Sequence, residues 1–97
     1  SNLDFVLFIN LKSLFTMDYY KSEIAYLVSL IMQLKACAPQ SVIDRLGIQK
    51  AEKYLDRPEI ADWDWEDETS ENQFLFLTFL QVNICICEMA LEQFKEK

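Results

Sequence analysis

Ninety-seven residues, 52% of them hydrophobic and 13% aromatic, suit one compact domain and leave no room for two. A single glycine and two prolines disfavour a fold of many short strands. The absence of histidine removes Ser-His and Cys-His nucleophile pairs, His-based zinc sites and the commonest general base together, while a net charge of −7 opposes binding to a polyanion.

The opening Ser1-Asn2, without an initiator Met or a basic leader, reads as a processed or excised start. Segment 3–15 is ambiguous. Asp4, Asn10, Lys12 and Ser13 scatter round a helical wheel, whereas Phe5, Leu7, Ile9 and Leu11 share one face of a strand. A lone strand has no neighbour for its backbone groups, so helix is the expectation, with an edge strand completed by another chain as the alternative.

Thr16 or Asp18 can cap a second helix reaching about Cys37, with Tyr19, Ile24, Leu27, Val28, Leu30, Ile31, Met32 and Leu34 as its apolar set. Ser22, Ala25, Ser29, Gln33 and Ala36 form a small-residue stripe that suits either close helix approach or water. Pro39 sits where a first helical turn tolerates proline and starts a short helix through Val42, Ile43 and Leu46, ended by Gly47. Another short helix follows over 49–56, with Ala51, Tyr54 and Leu55 inward and Pro58 helping to end it. This helix, glycine, helix rhythm imitates a helix-turn-helix, with Lys50, Lys53 and Arg57 available to phosphates. Glu52 and Asp56 dilute that face.

The connection that follows holds the charge. Residues 59–71 contain seven acidic side chains and no basic one, while the rest of the chain is balanced. Asp62, Trp63, Asp64, Trp65, Glu66, Asp67 and Glu68 therefore form the candidate partner-binding segment: aromatic anchors ringed by carboxylates, suited to steering and holding a basic protein. The plain alternative is a solvated loop whose tryptophans cap the helices. A calcium loop fails at the turn glycine, where Asp67 stands, and at the twelfth position, which is Gln73.

The longest apolar run, 74–94, predicts an uninterrupted helix about which the others wrap, with Ser70 and Gln73 in capping-box spacing. Thr78, Gln81, Cys85, Glu88, Glu92 and Lys95 share one polar stripe. Asn83 lies opposite it, which predicts a buried, hydrogen-bonded polar residue setting helix register. Cys85 falls on the stripe and reads as an accessible but inert thiol. Glu88 and Glu92, one turn apart, read as solvated acids rather than an acid–base pair.

Cys85 and Cys87 point about 200° apart on a helix and cannot bridge each other, though Cys37 could pair with either; the odd count of three favours a reducing, cytoplasmic setting. No run is expected to span a membrane. Residues 5–11 are too few, Ser29 and Gln33 interrupt 24–34, and Gln81, Asn83 and Glu88 interrupt the last helix.

The expectation is thus an all-α, single-domain bundle of four to five helices around a long C-terminal helix, with no catalytic, cofactor-binding or metal-binding residues. Its expected role is a binding or inhibitory module for a basic protein partner, such as a toxin or a nucleic-acid-binding protein. The alternatives are a small helix-turn-helix regulator of nucleic acid and a subunit that forms homo-oligomers through its apolar helices. In size and acidity the chain resembles small acidic inhibitors such as bacterial toxin-immunity proteins and antitoxins, a likeness that carries over no particular residues.

Overall fold

The computed structural model describes residues 17–56 and 68–95. Among them all regular structure is helical: α1 Met17–Cys37, α2 Gln40–Leu46, α3 Ile48–Leu55 and α4 Ser70–Lys95. The expected segment 3–15, strand or helix, lies outside the described residues.

The helix limits follow from local chemistry. Pro39, with φ −63° and ψ 152°, stands just before α2 as its N-cap rather than inside the first turn. Gly47, at φ 72°, occupies the left-handed region, which lets one residue close α2 and start α3. The helix α4 runs unbroken for 26 residues, as expected of a stretch without Gly or Pro. Its cap lies one residue earlier than the capping-box reading placed it. Thr69, not Ser70, receives the first-turn amide, Asn72 N donating to Thr69 Oγ1 at 3.2 Å, and Gln73 is buried in the core.

Pairings between the long helices establish their direction. Tyr20 meets Phe76 edge-on at 6.2 Å between ring centroids. Farther along, Gln81 Nε2 donates to Glu23 Oε2 at 2.7 Å, and the Tyr26 hydroxyl donates to Glu88 Oε2 at 2.6 Å. Because both sets of numbers ascend together, α1 and α4 run parallel, and α2 and α3 carry the chain back between them. Lys35 on α1 pairs with Glu52 on α3 at 3.0 Å, an exposed bridge that contributes ~1 kcal/mol or less. Tyr54, on the last turn of α3, sets its ring 4.6 Å from that of Phe79 and 6.0 Å from that of Phe76.

The core lies along these contacts. Tyr20, Leu27, Leu30, Ile31 and Leu34 come from α1, Ile43 and Ile48 from the short helices, and Phe76, Leu77, Leu80, Ile84, Cys87 and Leu91 from α4. Both long helices use the three- and four-residue spacing that keeps side chains on one face. Burial of each large apolar side chain stabilises by about 1.5 to 3 kcal/mol before entropic costs. Among the described residues no buried side-chain nitrogen or oxygen lacks a hydrogen bond.

Several sequence-based expectations need correction. Among the described residues the other helices do not wrap α4 on all sides: Phe74, Leu75, Val82 and Met89 are exposed, as are Val28 and Met32 on α1. Apolar residues spread round a helix identify no face, so periodicity could not separate these from the core set. Tyr20 and Ile48, absent from the expected core, are among its most completely buried members. The small-residue stripe of α1, left open between close helix approach and water, takes the second: it is exposed throughout, and Gln33 Nε2 donates to Ser29 Oγ within it at 3.2 Å. Asn83 is half-buried and donates to the Phe79 carbonyl of its own helix at 2.9 Å, so it satisfies itself locally instead of fixing the register of a neighbour. By length and composition Ser70–Phe94 is apolar enough to cross a membrane, so its three polar residues do not disqualify it as expected. The core helix of a globular protein meets the same measure.

Candidate functional site

Of the seven residues of the candidate partner segment, Asp62, Trp63, Asp64, Trp65, Glu66 and Asp67 lie outside the described residues, as does Arg57. Glu68 is described, and its place is informative. Its Oε1 accepts from the Thr69 amide at 3.1 Å and from Asn72 Nδ2 at 2.7 Å. The carboxylate therefore sits at the start of α4, where the unpaired amides and the helix dipole favour negative charge. Glu68, the last residue of the candidate segment, is thus held at the start of α4.

The parallel packing of α1 and α4 also assembles an acidic surface that sequence reasoning missed. Tyr26, Leu30, Glu88, Met89, Leu91 and Glu92 line an open groove of about 340 Å³. The hydrogen bond from Tyr26 to Glu88, with smaller effects of desolvation and the Glu23 charge, holds the tyrosine hydroxyl protonated beyond its ordinary range. Glu88 and Glu92 are both exposed, as expected, but one of them is engaged across helices. No local signal could have linked Tyr26 to a residue 62 positions away. An aromatic ring flanked by carboxylates can take a cationic side chain by charge and by contact with the ring face. Among the described residues no cluster of three or more His, Cys, Asp or Glu is arranged to hold a metal ion.

The three cysteines are free thiols, Cys37 and Cys85 exposed and Cys87 buried. Burial, and secondarily the neighbouring Glu88 charge, pushes the Cys87 thiol up to about 11. A thiol reagent should therefore modify two cysteines per native chain and the third only after unfolding. The raised value also fixes a sign. Folding favours the protonated thiol, so this contribution is intact below about pH 9 and is lost as pH rises toward about 11. Urea melts with pH raised through that window should show wild type losing stability faster than Cys87→Ala; parallel losses would refute the assignment. Tyr19, Tyr20 and Tyr26, also raised, add the same trend to both proteins at higher pH.

Lys50 and Lys53 on α3 are exposed, as a phosphate-contacting helix requires. A single residue, Gly47, separates α3 from α2, where a helix-turn-helix has a turn of three or four.

Comparison with known proteins finds no matching family model, no significantly similar curated protein and no significantly similar solved structure.

Proposed function

We propose that this chain is a small acidic binding or inhibitory module of the immunity or antitoxin kind, acting in the cytoplasm. It would present Asp62, Trp63, Asp64, Trp65, Glu66, Asp67 and Glu68 to a basic protein partner, such as a toxin or a nucleic-acid-binding protein, without a catalytic step or a cofactor. In this reading the domain that presents them is a bundle of four to five helices. The observation that carries this reading is the concentration of seven acidic and no basic side chains within 59–71 around two tryptophans. Glu68 anchoring the segment to α4 and the Tyr26, Glu88 and Glu92 groove support it. The helix-turn-helix reading has only Lys50 and Lys53 in its favour among the described residues.

The test uses a basic partner captured from the native host. Replacing Asp62, Asp64 and Glu66 with Asn or Gln should slow association and flatten its salt dependence, since peripheral charges act on encounter. Trp63→Ala or Trp65→Ala should raise the dissociation rate by an amount corresponding to about 2 kcal/mol or more. If the tryptophan changes lower the melting temperature and leave binding kinetics untouched, the segment caps its own fold and the reading fails.

A further inference from the structure

The outer side of α4 carries a second apolar face. Leu75, Phe79, Val82, Ile86 and Met89 follow one another at steps of four, three, four and three residues, the spacing by which a helix keeps a seam turned toward another helix. Most of the seam is open: Leu75, Val82 and Met89 are 58%, 50% and 66% exposed, Ile86 is half-buried, and Phe79 is half-buried where it packs on Tyr54 and the edge of the core. At 1.5 Å per residue it is about 21 Å long. Along its C-terminal half, Val42, Arg45 and Leu46 of α2 form one wall of a groove of about 320 Å³ against Ile86, Met89 and Gln93.

The two ends of the seam bear opposite charge. Glu71, one step before Leu75, is exposed at the start of α4. Arg45, also exposed, lies beside Met89 and Gln93 at the other end. Val82 is the midpoint between positions 71 and 93 and between Leu75 and Met89.

We propose that this face binds a second copy of the chain, with the two α4 helices antiparallel about a two-fold axis at Val82. That pairing sets Leu75 of each copy on Met89 of the other and Glu71 of each near Arg45 of the other. Both apolar and charged ends are satisfied twice by one symmetry operation, and the helix dipoles oppose each other. A parallel pair would place Arg45 against Arg45 and Glu71 against Glu71. A lipid surface offers headgroup charges but no fixed register that pairs the two ends with each other. The inference shares Glu71 with the acidic connection but uses none of the seven residues, 62–68, proposed to meet a basic partner.

Light scattering on the full chain, from about 1 to about 100 μM, should show a mass that rises with concentration to twice the chain's 11.5 kDa. Val82→Glu, which sets like charges against each other on the axis, should remain helical and stay monomeric throughout. Arg45→Glu should weaken the dimer by about tenfold or more, and adding Glu71→Arg in the same chain should restore it, because both ends are then exchanged. A wild-type chain that is monomeric at every concentration overturns the proposal. So does a monomer that sediments with phosphatidylcholine vesicles in a Val82-dependent way, which would make the seam a lipid contact. Unfolding of Val82→Glu would show the seam covered within its own chain, and a dimer indifferent to both the Val82 and Arg45 changes would place the interface elsewhere.

Discussion

Phe76→Ala should cost about 3 to 5 kcal/mol of stability, whereas Phe74→Ala, two residues away on the same helix, should change it by less than about 0.5 kcal/mol. Phe76 is 3% exposed and Phe74 61%. The Phe76 ring joins three helices, lying edge-on to Tyr20 of α1 and stacked with Tyr54 of α3. Its removal leaves a cavity at the meeting of three helices. Phe74 lies mostly in water and gives up little buried surface. Equal losses in urea melts of the two variants would mean that α4 is rotated relative to the core described above.

That pair also shows which parts of the fold could be read from the sequence. The extent of α4 was legible because nothing between Ser70 and Lys95 breaks a helix and each residue there can extend one. The α2 to α3 junction was legible because Gly47, the chain's single glycine, takes a positive φ without strain. The buried face of α4 was not legible. With Phe74, Leu75, Phe76 and Leu77 in succession, every direction of the wheel holds a large apolar side chain, and only the position of α1 decides which are covered. The same limit hid Tyr20, which lies beside the equally aromatic Tyr19 but points 100° away from it into the core. It hid Ile48 as well, because the reading began α3 one residue late.

The candidate site divides along similar lines. Local composition marks the acidic connection, because charge density is a property of adjacent residues. The Tyr26 and Glu88 pairing depends on two distant helices running parallel, and parallel helices need a return path that no short motif announces. Thr69 displacing Ser70 as the cap of α4 is a choice between neighbouring hydroxyls. It turns on the acceptor that Glu68 offers to the Thr69 amide and to Asn72, a preference weaker than the scatter of helix boundaries themselves.

Leu80→Ala should be among the most damaging single changes in α4, with a loss of about 3 to 5 kcal/mol. Phe79→Ala, the larger truncation by volume, should cost less, about 1 to 2 kcal/mol, because only part of that ring is removed from water. From sequence alone the two positions looked equivalent. In the fold Leu80 is fully buried (0% exposed), whereas Phe79 is half-buried and its closest aromatic neighbour is Tyr54, at 4.6 Å between centroids. Tyr54 is exposed at the end of its helix and can move to fill the space, while the surroundings of Leu80 are held from several helices at once and cannot collapse. Both variants should keep the wild-type urea dependence and differ in midpoint, since neither changes the surface exposed on unfolding by much. A larger loss at Phe79 than at Leu80 would show that the α3 to α4 contact, rather than the α1 to α4 core, carries the stability of this fold.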